Sequence, residues 1–254
     1  MAKPKVALQM YTVRDEAQKD FVGTFKAVAR IGYTSIETSG TGGLPSQELK
    51  RVLDELGLAV ASAHVGLELL EGQLDQQITY FREVGCRDLV VPALPQGHRG
   101  SKDGYRRAAD SMNRIGARCK EMGARLSYHN HAFEFERFDG RLALELLYEK
   151  TDPHRVAAEI DTYWVQYGGG DPVDWIHRVK GRMPAIHCKD YAVTANKPHF
   201  AEVGHGNLDW QRILAACRET GVEWYIVEQD DPVPSGRDIF ESIRMSYEFL
   251  AQNI

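Results

Sequence analysis

Long apolar stretches are missing from this chain. No run approaches the roughly 18 consecutive apolar residues of a membrane span, and the start, "MAKPKVALQMYTVRDE", offers one short apolar run cut by Gln9 and followed at once by charge. That start lacks the hydrophobic region and small-residue cleavage site of a secretory signal, so a cytoplasmic protein without a membrane partner is expected. Cysteine is scarce too: Cys86, Cys119, Cys188 and Cys217 lie far apart with no C-x-x-C pair. This pattern points to reduced thiols rather than a disulfide framework or a zinc knuckle, and Cys188, the one beside candidate chemistry, reads as a packed strand residue. Basic clusters are few. With 31 Lys and Arg against 36 Asp and Glu, the net charge is −5, which provides no general positive field for phosphates and argues against a nucleic-acid partner. A dinucleotide fingerprint is lacking as well, since "GTGGLP" at 40–45 places Pro45 where G-x-G-x-x-G requires its last glycine.

What the sequence does contain is one repeated pattern. A chain of 254 residues, 43% hydrophobic and 26% charged, can bury a sizeable core. Eight short runs recur: "VALQM" (6–10), "SIETS" (35–39), "AVASAHV" (59–65), "DLVVPAL" (88–94), "RLSYHNH" (125–131), "VAAEID" (156–161), "AIHCKD" (185–190) and "WYIVEQD" (224–230). Segments of helical period separate them. "DFVGTFKAVARIG" puts Phe21, Phe25, Val28 and Ala29 on one face and stops at Gly32; "DPVDWIHRVKG" opens with Asp171 as N-cap and Pro172 in the first turn; "DWQRILAACRETG" ends at Gly221. Eight strand-helix units with no Pro- or Ser-rich linker predict an α/β fold, a single (β/α)8 TIM barrel over residues 1–254, with a doubly wound open sheet as the alternative.

A barrel of this kind gathers its chemistry at the C-terminal ends of the strands. The late positions of the runs hold Gln9, Glu37, His64, His129 with His131, Asp161, His187 with Lys189, and Glu228 with Asp230 and Asp231, while the early positions are mostly Val, Ala, Leu and Ile. Residues two apart share a strand face, which pairs Glu159 with Asp161, His187 with Lys189 and Glu228 with Asp230. Asp161 ends an apolar strand where an isolated carboxylate is costly to bury, and the nearest convincing helix start lies ten residues on, so a metal or substrate role is preferred to an N-cap. His187 alone reads as a hydrogen-bonded core histidine, and Glu228 alone could be the first polar residue after a buried strand. Taken together, the last four strands each deliver an oxygen or imidazole at one height, a set suited to Mn²⁺, Mg²⁺, Co²⁺ or Zn²⁺.

"YHNHAFEF", "EIDTYW", "IHCKD", "GHGNLDW" and "IVEQDD", in this order, together with "LQMYTVRD" near the start, resemble the sugar phosphate isomerase/epimerase family of the xylose-isomerase-like TIM barrel superfamily. That superfamily also contains tagatose- and psicose-type epimerases, inosose dehydratase and endonuclease IV. The resemblance implies one divalent metal held by Glu, Asp, His and Glu from the last four strands, the glutamates also handling protons. Asp161, His187 and Glu228 match that pattern. Where many epimerases place the first glutamate, this chain has Ser127 or Tyr128, so Glu134 is expected to fold back from the loop as the fourth ligand, with His129 or His131 as its rival.

The expected chemistry is proton abstraction alpha to the carbonyl of a sugar or keto-sugar, phosphorylated or not, through a metal-stabilised enediolate. Return of the proton gives epimerisation or isomerisation; loss of a β-hydroxyl gives dehydration, the alternative, on a keto-sugar or keto-inositol. Glu228, Glu134, His129 and His131 are the candidates for moving protons, and Lys189, His64, Trp164 and His205 for touching substrate. In "VGHGNLDW" two glycines are read as letting backbone approach the pocket. The resemblance implies a small-molecule carbohydrate partner and a homodimer. An endonuclease IV-like nuclease and an inactive sugar-binding barrel complete the readings.

Overall fold

The computed structural model describes residues 5–231 and 236–254. Eight parallel strands close into a barrel: β1 (Lys5–Gln9), β2 (Ser35–Ser39), β3 (Ala59–His64), β4 (Asp88–Val91), β5 (Arg125–His129), β6 (Val156–Asp161), β7 (Ala185–Cys188) and β8 (Trp224–Val227). Each strand pairs with its neighbours in sequence, and β8 returns to β1 with Lys5 opposite Trp224 and Leu8 opposite Val227. The doubly wound alternative is thereby excluded. The chain forms all eight expected strands; β2 and β6 match their runs residue for residue, and the others stop one to three residues earlier. β4 shows the reason, since Pro92 has no N–H to continue a ladder.

The principal helices between strands are α1 (Phe21–Ile31), α2 (Ser46–Glu55), α3 (Leu67–Val84), α4 (Lys102–Glu121), α5 (Ala143–Lys150), α6 (Pro172–Arg178), α7 (Trp210–Thr220) and α8 (Ile239–Asn253). Asp171 caps α6 by accepting from the Val173 N–H, and α1 ends at Gly32, whose φ of 120° few other residues adopt. Outward residues such as Leu8, Ile36, Leu126, Val156 and Ile186 pack under the helices in the main core, while Ala7, Ala61, Ala185 and Ile226 plug the barrel from within. Small side chains fit that taper, and they leave the space above them to polar residues. Ala61 is an extra residue in β3: Ile36 pairs with Val60 but Glu37 with Ser62, a bulge that re-aims the strand end.

The sequence pattern does not foretell two additions at the C-terminal face. A hairpin of Asp190–Thr194 and Lys197–Ala201 follows β7, and a short helix, Thr162–Tyr167, leaves β6 at once. All four cysteines are buried and unbridged. Among the described residues no helix is long and apolar enough to cross a membrane.

Candidate active site

Alternation along each strand decides what the barrel interior contains. Ala157, Glu159 and Asp161 point inward from β6, and the same period brings His187 and Lys189 inward from the end of β7, with Ile226 and Glu228 from β8. The result is a two-tier polar cluster beneath a cavity of about 440 Å³, which is lined by Tyr11, His64, His129, His131, Glu228 and Asp230 among others.

The lower tier lies deeper in the barrel, with His64 reaching the cavity wall. Glu37 and Glu159 are fully buried. Glu37 accepts from Gln9 Nε2 at 2.6 Å and from the Ser62 hydroxyl, and its Oε1 lies 2.7 Å from His187 Nε2 and 3.0 Å from His64 Nε2. Glu159 Oε2 lies 3.3 Å from His64 Nε2 and 3.2 Å from His187 Nε2. Burial alone would raise the Glu37 carboxyl, but the two imidazoles hold it well below the usual carboxylate range. Burial works against the charge on His64, yet Glu37 and Glu159 push its pKa up to about 9.

The upper tier faces the cavity. His187 Nδ1 stands 2.9 Å from Glu228 Oε2, and Lys189 reaches Glu228 at 2.7 Å, Asp230 at 2.9 Å and Asp161 at 3.3 Å. Lys189 is 1% exposed, so its ammonium belongs to the cluster and not to the surface. Burial raises Asp161 to about 7, with Lys189 restraining the rise, whereas Glu228 stays well below the carboxylate range because Lys189 and His187 outweigh its burial. His129 and His131 titrate in the opposite sense: burial and the neighbouring cations hold His129 well below its ordinary value and His131 at about 3. Both are neutral imidazoles at pH 7.

The upper tier contains the donors for a cation. One ligand atom from each of His129, Asp161, His187 and Glu228 lies within 4.8 Å of the others. Asp161 Oδ2 lies 3.3 Å from the Lys189 ammonium and 3.7 Å from His129 Nε2, so these groups converge on one buried oxygen. Two carboxylates and two imidazoles suit a divalent ion of the Mn²⁺ to Zn²⁺ type.

Three expectations need correction. Glu134 does not join this set. Tyr128 alternates to the outside of β5, and Glu134 follows it: its carboxylate accepts from the Tyr128 hydroxyl and, at 2.9 Å, from the His131 N–H. His129 stands in its place. Asp161 keeps its place in this set but is an N-cap as well, since Oδ1 accepts from the Trp164 N–H at 2.9 Å and starts Thr162–Tyr167, while Oδ2 faces Lys189. His205 is exposed on a turn closed by its N–H to Glu202 O, apart from the cluster. The glycines beside it serve Asp190: Gly204, with φ 84°, and Gly206 donate their N–H groups to Asp190 Oδ2, and a Cβ on Gly206 would fall 2.4 Å from that carboxylate.

His64 and His131 line the cavity, and Trp164 lies beside it with its ring 5.4 Å from that of His131. The indole Nε1 of Trp164 and Nδ1 of His131 are buried without partners among the described residues. Glu37 and Glu159 take a central part that the sequence did not assign them, although both sit at late inward strand positions, and that signal could have identified them.

Comparison with known proteins agrees with the barrel fold. Residues 25–249 match the family described as xylose isomerase-like TIM barrel. Inosose dehydratase of Geobacillus kaustophilus is 23% identical over 88% of this chain and 84% of its own, and the rhizopine catabolism protein MocC of Rhizobium meliloti is 25% identical over 88% and 78%. A sugar phosphate isomerase/epimerase from Parabacteroides distasonis superposes with a TM-score of 0.83 at 26% identity, covering 98% of this chain and 94% of that one. An L-ribulose 3-epimerase shares the fold at TM-score 0.72 and 16% identity.

Proposed function

We propose, for a chain that belongs to the family of xylose isomerase-like TIM barrels, a divalent-metal-dependent enzyme that removes the proton alpha to the carbonyl of a small sugar or keto-sugar. The observation that carries this reading is the convergence of His129, Asp161, His187 and Glu228 under a sugar-sized cavity. These four would hold the ion, which supplies a Lewis acid for the negative charge that develops at the carbonyl oxygen.

Glu228 is the residue assigned to take the carbon-bound proton. It lines the cavity and remains ionised at neutral pH, because Lys189 and His187 stabilise its charge. Trp164 Nε1 and His131 Nδ1 offer unsatisfied hydrogen-bonding positions for substrate hydroxyls, with His64 on the same wall. Lys189 keeps Asp161, Glu228 and Asp230 from repelling one another before substrate arrives. His131, which sits at the cavity wall as a neutral imidazole, is assigned a hydrogen-bonding role toward the substrate.

Deprotonation is common to two outcomes. Return of the proton gives isomerisation or epimerisation. Elimination of a β-hydroxyl gives dehydration of a keto-sugar or keto-inositol, and the relatives named inosose dehydratase favour that second reading. Incubation of metal-replete protein with ketoses and inososes in D2O, followed by NMR, distinguishes them. Deuterium at the carbon next to an intact carbonyl supports the first and loss of water the second; neither, across the panel, overturns the enzyme.

A further inference from the structure

The two ring nitrogens of His187 face different tiers of the cluster. Nδ1 stands 2.9 Å from Glu228 Oε2 and 4.0 Å from Asp161 Oδ2, on the side of the upper donor set, while Nε2 stands 2.7 Å from Glu37 Oε1. A neutral imidazole has one lone pair and one N–H. A cation held with Asp161 and Glu228 takes the lone pair of Nδ1, so the single N–H falls to Nε2, where Glu37 accepts it. A carboxylate in that position fixes both the tautomer and the plane of a ligating ring.

Glu37 is itself held for this task. Gln9, Glu37 and Ser62 stand side by side on β1, β2 and β3, each opposite the next in register, and the extra residue at Ala61 is what sets Ser62 opposite Glu37. Gln9 Oε1 accepts from the Tyr11 N–H at 3.0 Å, which leaves Gln9 Nε2 to donate to Glu37 Oε1 at 2.6 Å. The Ser62 hydroxyl donates to the other oxygen, Oε2. All three side chains are buried. Oε1 therefore cannot turn away from His187, which reaches it from the far side of the barrel.

We propose that Glu37 is a positioning residue for the metal site: it accepts from Nε2 of His187 and so presents Nδ1 to a divalent ion held with His129, Asp161 and Glu228, while Gln9 and Ser62 lock the carboxylate in place. This rests on the metal-dependent reading of the site, and metal titration separates the two. Chelator-stripped wild type, Glu37→Met and Glu37→Gln are titrated calorimetrically with Mn²⁺. Glu37→Met keeps the bulk but loses the acceptor, and is expected to bind at least about tenfold more weakly, the scale on which outer partners of metal ligands act. Glu37→Gln, whose amide oxygen still accepts, is expected to recover part of that loss. Wild-type affinity in Glu37→Met, or no recovery in Glu37→Gln, overturns the positioning role and leaves the metal reading standing; a wild type that binds no Mn²⁺ removes both. Long-range ¹H–¹⁵N NMR of Zn²⁺-loaded wild type carrying ¹⁵N-histidine needs no Glu37 variant, with His187 assigned by the signals that His187→Gln lacks. A proton on Nε2 and the metal on Nδ1 support the proposal, and a proton on Nδ1 overturns it.

Discussion

The Nε2 of His187 stands 2.7 Å from the Oε1 of Glu37, a buried contact between residues 150 positions apart that exists because β8 closes the barrel onto β1. Removing one member of a buried, charge-paired set leaves the other uncompensated, at a cost of about 3 to 5 kcal/mol. Glu37→Ala is therefore expected to lower unfolding free energy by about that amount in urea titration. Glu55→Ala, which breaks a pair with Arg51 whose side chains are 63% and 62% exposed, should change it by less than about 1 kcal/mol. Equal losses would contradict the buried network.

The identity of the fourth donor is a question of metal retention. Tyr128 and the His131 N–H occupy the Glu134 carboxylate outside the barrel, whereas His129 faces Asp161 and His187. His129→Ala should weaken divalent-ion affinity by at least about tenfold, the scale on which even supporting residues act, and Glu134→Gln should leave it near wild type. Calorimetric titration with Mn²⁺ measures both. The reverse ranking would return Glu134 to the ligand set.

Glu134 also predicts a pH effect on stability. Burial raises its pKa from 4.5 to about 7 in the folded chain, with the Tyr128 hydroxyl moderating the rise. Between those values the folded state holds a proton that the unfolded state has released, so stability falls as pH climbs from 4.5 to 7 and then levels off. The loss is roughly 3 kcal/mol from this group. Glu134→Gln should flatten that part of the profile in urea titrations between pH 4 and 8, and an unchanged slope would remove Glu134 as its source.

Lys189 compensates three carboxylates from within the cluster. Lys189→Met keeps much of the stem but strips the charge, leaving Asp161, Glu228 and Asp230 to repel one another. The metal-free variant is expected to lose about 3 kcal/mol or more, and added divalent ions should restore more stability to it than to wild type, since they supply the missing positive charge. Thermal unfolding with and without Mn²⁺ tests this, and equal metal-induced shifts in both proteins would count against it.

The sequence by itself determined the eight strand-helix units, because alternating apolar runs and capped helical segments are local signals that read the same in any context. It also determined that Asp161, His187 and Glu228 share one end of the barrel, since strand ends and period-two faces are properties of the chain. The tertiary structure alone decided the rest. Period two could not show that Tyr128 would carry Glu134 outside, nor that Asp161 would divide its two oxygens between a helix cap and the site. The meeting of Glu37 and His64 with His187 depends on closure: strands far apart in sequence face one another across the interior, and which side chains touch there is set by the stagger of the barrel and the bulge at Ala61, neither of which any single segment encodes.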